Sequence, residues 1–314
     1  MKIVILEPIG LTSEDISKII KSFESLDHEL ITYENRPTND DEIIKRAEEA
    51  NILILSNLPL SENVIKCCTN LQFISVAFAG VDHIPMELCR TKNIIVSNTA
   101  GYSNHSVAEL VIGSAISLLR KIVWSNTQTR KLSTREGFLG TELHEKTFGI
   151  IGLGQIGKEV AHLANAFGCR VLAYSRTPKD IENIEFSNLD YLLKESDIIS
   201  LHVPLTEETQ DLINKKKLQL LKPQAIIINT ARGPVINYHA LSEALINHNI
   251  SGAAIDVYEK EPPLEKNHPL FNAPNLILLP HIGYATHEAI KLRGDIVIEN
   301  IHKWLAGNPQ NIMN

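Results

Sequence analysis

Short apolar runs alternate with amphipathic stretches along most of the chain, in the rhythm of strand followed by helix. In the first hundred residues the runs predict strands near 2–7, 29–33, 51–56, 72–78 and 94–98, with helical periodicity near 12–25, 39–49, 61–68 and 84–91. Strands joined by helices run parallel, so this region reads as one small α/β domain. A second series predicts strands near 147–151, 170–174, 197–203, 225–230, 252–257 and 276–279. That makes six strands. Two helical segments fit neither series: 103–121 joins the two regions, and 287–306 follows the second sheet and is expected to pack back on the first.

Three glycines, Gly152, Gly154 and Gly157, stand where the first strand of the second series meets its helix. The run 147–151 enters the turn, and Lys158 to Phe167 leave it as an amphipathic helix with Val160, Ala161, Ala164 and Phe167 inward. Glycines at this spacing allow a tight turn and bring the backbone close to a pyrophosphate, which then sits at the positive end of the helix. On its own such a turn is weak evidence; between a strand and a helix, in a six-strand series, it predicts dinucleotide binding. The fold expected is therefore α/β, two Rossmann-like domains with doubly wound parallel sheets and a cleft between them. Residues 1–100 and 286–314 form a flavodoxin-like, substrate-binding domain and residues 101–285 the dinucleotide-binding domain.

A length of 314 residues exceeds one ordinary core and suits two domains. The 44% hydrophobic and 21% charged residues are those of a globular protein, and a formal charge of −7 with no basic run argues against nucleic acid. Glu7 and Pro8 interrupt the first apolar run far short of a signal-peptide core. The stretch from Val107 to Val123 carries Glu109 and ends at Arg120 and Lys121, too short and too polar to span a bilayer. Cys67, Cys68, Cys89 and Cys169 have no metal-ligand spacing and read as reduced packing residues, so the expected compartment is the cytoplasm and no metal site is expected.

Arg232, Glu261 and His281 follow the glycine turn in that order. Reduction of a 2-oxo acid needs a cation for the carboxylate, a proton donor for the forming alkoxide and a nicotinamide placed to deliver hydride. A guanidinium fork grips two oxygens in fixed geometry, and an imidazole changes protonation near neutral pH. A carboxylate such as Glu261 would orient the ring and favour its protonated form. A histidine in a Pro-His loop is by itself more often structural; the three residues in register reverse that reading.

The runs Gly152-Leu-Gly-Gln-Ile-Gly157, His202-Val-Pro-Leu-Thr206, Asn229-Thr-Ala-Arg-Gly233, Asp256-Val-Tyr-Glu-Lys-Glu-Pro262 and Pro280-His-Ile-Gly283 resemble the successive signatures of the D-isomer-specific 2-hydroxyacid dehydrogenase family. Ala79-Gly-Val-Asp82 and Ser106-Val-Ala-Glu109 extend the resemblance upstream. It implies Arg232, Glu261 and His281 as catalytic residues, with Ala79, Gly80, Arg232 and His281 on the substrate. It places Gly152, Gly154, Gln155, Ile156, Gly157, His202, Pro204, Thr230, Asp256 and Gly283 on the cofactor, Asp256 holding the nicotinamide carboxamide. A glyoxylate/hydroxypyruvate reductase-like branch is the closest in character, with a homodimer through the dinucleotide domains. The segment from Trp124 to Leu143, lacking a core pattern, would wrap the partner subunit.

One position departs from the NAD pattern. The second strand of the dinucleotide fold ends in Ala173-Tyr-Ser-Arg-Thr177, with no carboxylate for a ribose 2′-hydroxyl. Ser175, Arg176 and Thr177 instead suit a 2′-phosphate, so NADP(H) is favoured; the alternative is NAD(H) with Arg176 stacked on the adenine. Leu55-Ser56-Asn57 and Val76-Ala77-Phe78, the first-domain loops expected to face the substrate, are apolar or neutral, which favours a small unphosphorylated 2-oxo or 2-hydroxy acid. Phe78, Tyr102 and Tyr284 leave room for the alternative of a larger apolar side chain. Only a few residues follow the last helix, so the regulatory domain of many phosphoglycerate dehydrogenases is not expected. Two other readings stand beside this one, an NAD-dependent D-3-phosphoglycerate dehydrogenase of serine synthesis and a non-catalytic, corepressor-like nucleotide sensor.

Overall fold

The computed structural model describes residues 1–178, 181–260 and 263–314. They divide into two compact units, Met1–Ser103 with Thr286–Asn314, and Asn104–Ala285. The first unit runs β1 (Lys2–Ile5), α1 (Ser13–Glu24), β2 (Glu29–Thr32), α2 (Asp40–Ala47), β3 (Ile52–Leu55), α3 (Glu62–Cys67), β4 (Phe73–Val76), α4 (Met86–Thr91) and β5 (Ile95–Ser97). Its strands form a parallel sheet in the order β2-β1-β3-β4-β5. Three of its helices begin where a polar side chain closes the first turn: Thr12, Asn39 and Ser61 accept from the N–H groups of Asp15, Glu42 and Val64.

The second unit runs α5 (Asn104–Leu119), α6 (Ile122–Arg130), β6 (Thr147–Ile151), α7 (Gln155–Ala166), β7 (Arg170–Tyr174), β8 (Glu185–Phe186), α8 (Leu189–Glu195), β9 (Ile198–Leu201), α9 (Lys215–Leu218), β10 (Ile226–Asn229), α10 (Tyr238–Ile246), β11 (Gly252–Ile255) and β12 (Leu276–Leu278). The sheet is parallel, in the order β12-β11-β10-β9-β6-β7-β8. Its central strands are mostly apolar because both faces are covered, and successive side chains go to opposite cores. Ile150, Ile198, Ile226 and Ile228 pack with Val111 and Ala115 of α5 and Val160 and Ala164 of α7. Ile151, Ile199 and Ile227 pack on the other side with Leu192 of α8 and Leu241 of α10. The last helix, α11 (His287–Leu305), belongs to the first unit: Val297 and Ile301 pack with Ile3, Ile5, Ile54 and Phe73, and Trp304 stacks on Phe73 at 5.0 Å.

Four details differ from the sequence expectation. The second sheet has a seventh strand, β8, whose two residues pair with Leu172 and Ala173 and are too few to show a period. Phe167 is exposed, because α7 ends at Ala166 and the chain turns at Gly168, φ +78°, before the inward face recurs. Cys67 is exposed at the end of α3, whereas burial pushes the thiols of Cys68, Cys89 and Cys169 up to about 11, which keeps them protonated and inert. The first part of the segment expected to lack a core pattern falls in α6, which buries none of its side chains. Among the described residues no helix is long and apolar enough to cross a membrane.

Candidate active site

Successive strands after β6 lie on opposite sides of it, β7 on one and β9 on the other, which opens a crevice at their C-terminal ends. The glycine turn occupies this place. Gly152 has φ +98°, and a Cβ there would lie 2.6 Å from the His202 carbonyl oxygen. A Cβ on Gly157 would lie 2.1 Å from the Gly152 carbonyl oxygen, so the helix start sits directly on the turn. Gly154 differs, since a Cβ there meets no protein atom within 4 Å. It is the N-cap of α7, and no side chain caps that helix, which leaves the N–H groups of the first turn, where Gln155 and Ile156 lie, for an anion. Thr230 Oγ1, on the same sheet edge, is buried with no hydrogen-bond partner among the described residues. Open space at Gly154, an uncapped helix start and a hydroxyl in want of a partner fit a dinucleotide.

A cavity of about 300 Å³ brings together Gly152, Gly154, Ser175, Arg176, Thr177, His202 and Pro204. Gln155, Ile156, Gly157, Thr230, Asp256 and Gly283 are not in its lining. The cavity also contains a residue that sequence reasoning missed. Glu208, from the loop after β9, places Oε2 3.6 Å from Arg176 Nη1. The strand end lacks a carboxylate, but the cavity has one. The Glu208 loop is pinned, with Thr209 Oγ1 donating to the Pro204 carbonyl at 2.6 Å and accepting from the Thr206 N–H at 2.8 Å. His202 Nε2 lies 2.9 Å from Ser200 Oγ, and burial pushes its imidazole down to about 3, so the ring is neutral beside the cofactor cavity at neutral pH.

Arg232 follows β10 in extended backbone, half-buried, with Nη1 donating to the Ala231 carbonyl at 2.8 Å. Its loop is held from below. Asn229, fully buried, donates through Nδ2 to the Arg232 carbonyl at 2.9 Å and accepts at Oδ1 from the Ala231 N–H at 3.0 Å. Tyr238 Oη in turn lies 3.1 Å from Asn229 Nδ2 and donates to the Val257 carbonyl at 2.6 Å. Neither role was legible in the sequence, where Asn229 reads as the end of an apolar strand and Tyr238 as a helix residue.

Asp256 follows β11 and is 1% exposed. Its Oδ1 accepts from the Ile282 N–H and its Oδ2 from the Gly283 N–H, both at 2.8 Å. A Cβ on Gly283 would sit 3.0 Å from that second oxygen, so glycine permits the clamp. The carboxylate thus fixes the loop after β12, in which His281 takes a left-handed φ of +57° and its ring meets Tyr284 edge-on at 5.5 Å. Arg232, Asp256 and His281 therefore stand on three consecutive strand ends, β10, β11 and β12. Glu261 lies outside the described residues.

Ala79 and Gly80 belong to the first unit, just past β4, where Asn98 Nδ2 donates to the Ala79 carbonyl at 2.7 Å. Phe78 and Tyr102 are buried against each other at 6.3 Å between ring centroids, in the same unit. The loop at Ser56 and Asn57 is less neutral than its own residues imply. Arg36 reaches Asn57 Oδ1 at 2.7 Å and Glu7 Oε2 at 3.3 Å, while Glu7 Oε1 accepts from the N–H groups of Ser56 and Leu58. The cation arrives with its own buried counter-charge.

Residues 112–283 match the model of the D-isomer specific 2-hydroxyacid dehydrogenase NAD-binding domain. The chain is 37% identical to a glyoxylate reductase of Thermococcus litoralis over 87% of its own length and 86% of the relative's. It is also 37% identical, over its whole length, to a D-3-phosphoglycerate dehydrogenase of Methanocaldococcus jannaschii, but spans only 59% of that protein. An acyclic imino acid reductase solved with NADPH and D-Arg superposes with a TM-score of 0.92 at 32% identity, covering all of both chains. With its glycine turn on a parallel sheet and its strand-end residues in register, the chain belongs to the D-isomer specific 2-hydroxyacid dehydrogenase family and carries that family's NAD-binding domain.

Proposed function

We propose that the protein reduces a small, unphosphorylated 2-oxo acid, glyoxylate or hydroxypyruvate, to the D-2-hydroxy acid, with NADP(H) favoured over NAD(H). The observation that carries this reading is the presentation of Arg232, Asp256 and His281 on three consecutive strand ends of the sheet whose crevice holds the glycine turn. Bound there, the nicotinamide supplies the hydride to the substrate's C2. Arg232 holds the carboxylate and draws electron density from the ketone, and a fixed loop lets it do so without reorganising. His281 donates a proton to the oxygen at C2 in reduction and removes it in oxidation. Asp256 holds the histidine's loop, and Glu261 is the proposed orienter of its ring.

The unphosphorylated substrate is supported by Arg36, whose charge is already balanced by Glu7. The glyoxylate reductase relative points the same way. NADP(H) is supported by Arg176 in the cavity and by the NADPH of the structurally similar imino acid reductase. A homodimer is supported by α6 and the chain after it, where Val123, Trp124, Leu132 and Leu139 are exposed, Leu132 at 96%.

The test is His281→Ala in single-turnover reduction of hydroxypyruvate. The rate should fall roughly 10²–10⁴-fold with the NADPH dissociation constant unchanged, the range for a lost general acid. Arg232→Ala should lose substrate affinity and turnover together. A His281→Ala rate near wild type in a chemistry-limited assay would remove the proton-donor role.

A further inference from the structure

The ion pair between Arg176 and Glu208 sits in the wall of the cofactor cavity, and both side chains are 74% exposed. Nothing structural requires it. A pair this exposed contributes little to stability and opens readily. Its two halves come from different elements, Arg176 from the end of β7 and Glu208 from the loop after β9. The Glu208 loop is held by the paired threonine contacts at Thr206 and Thr209, so the carboxylate is delivered to this place rather than drifting into it. A guanidinium in a nucleotide cavity, already carrying an oxyanion, is in the state it would have with a phosphate bound.

We propose that Glu208 is a cofactor-discriminating residue: its carboxylate occupies the Arg176 guanidinium as an internal stand-in for a 2′-phosphate, and NADP(H) must displace it. This rests on the reading of Arg176 as the 2′-phosphate partner. NAD(H), which brings no phosphate, leaves the pair closed and pays nothing for it. The carboxylate therefore narrows the gap between the two cofactors, because the guanidinium's attraction for phosphate is offset by the ion pair it gives up. The same counter-charge deters other phosphate-bearing anions from the open cavity, since any of them must break the pair.

Isothermal titration of NADP⁺ and NAD⁺ into wild type, Glu208→Gln, Arg176→Ala and the double variant tests this without relying on turnover. All the substituted side chains are exposed, so folding is retained. Glu208→Gln should bind NADP⁺ about threefold to tenfold more tightly, somewhat above the worth of one exposed pair because like-charge repulsion is also removed, with NAD⁺ changed less than about twofold. In the Arg176→Ala background the same substitution should give a clearly smaller gain. Unchanged NADP⁺ affinity in Glu208→Gln, or an equal tightening of NAD⁺, overturns the proposal. So does an equal gain with and without Arg176, which would make the carboxylate act on the phosphate directly. Failure of the underlying cofactor reading looks different: Arg176→Ala alone would then weaken NADP⁺ and NAD⁺ alike.

Discussion

At Asp256 a single buried carboxylate does the work of a hinge pin, taking two consecutive backbone N–H groups and thereby holding His281 in a left-handed conformation that its own side chain disfavours. A charge-assisted bond to backbone is stronger than a neutral one, which suits the proposed need to keep the His281 imidazole aimed. His202 shows the converse use of burial. Its ring is held neutral, with a pKa pushed from the ordinary 6.5 to about 3. The unfolded chain binds a proton there below 6.5 and the folded protein does not, so the stability this group allows is complete above pH 6.5 and is lost as pH falls from 6.5 toward 3. After discounting for the residue's partial exposure, the loss at pH 4.5 is about 1 kcal/mol, or roughly 2–4 °C in Tm for a unit of this size. Thermal melts of wild type and His202→Gln should therefore diverge on acidification, the wild type falling further; parallel melting curves from pH 7.5 to 4.5 would show that the ring protonates freely in place.

Among the elements, those with long runs of one period were legible before any coordinates. The strands Ile52–Leu55 and Ile226–Asn229 are wholly buried and apolar but for the closing Asn229, and α7 carries its inward stripe at Val160, Ala161 and Ala164. β8 was not legible because two residues hold no period, and Phe167 was misplaced because the helix stopped one residue earlier than its stripe implied. At the site, residues that lie near one another in sequence or share a motif were found, whereas Glu208, Tyr238 and Arg36 reach partners that only the folded chain brings near, and Asn229 stood in a motif without its bonds to the Arg232 loop being readable. The helix α6 was hidden for another reason: with no buried face it has no hydrophobic stripe to read. Its exposed apolar residues, together with Leu132 and Leu139, motivate the two-fold homodimer. Light scattering at micromolar concentration should give about twice the 35.0 kDa of the chain. A mass near 35.0 kDa would leave that apolar surface without its proposed partner.

Taken over the whole chain, two parallel sheets serve different ends. The second gathers the glycine turn, the Arg176 cavity and the Arg232, Asp256 and His281 strand ends along one edge. The first presents Ala79 and Gly80 beyond β4 and pairs Arg36 with the buried Glu7. Among the described residues the cation at the Ser56–Asn57 loop, Arg36, is already paired with Glu7, which supports the proposed unphosphorylated substrate. The most direct measurement is kcat/KM for glyoxylate, hydroxypyruvate, pyruvate and 3-phosphohydroxypyruvate, each with NADPH and with NADH. Glyoxylate or hydroxypyruvate with NADPH should give the highest value. A clear preference for 3-phosphohydroxypyruvate with NADH, or no reduction of any of the four, would contradict it.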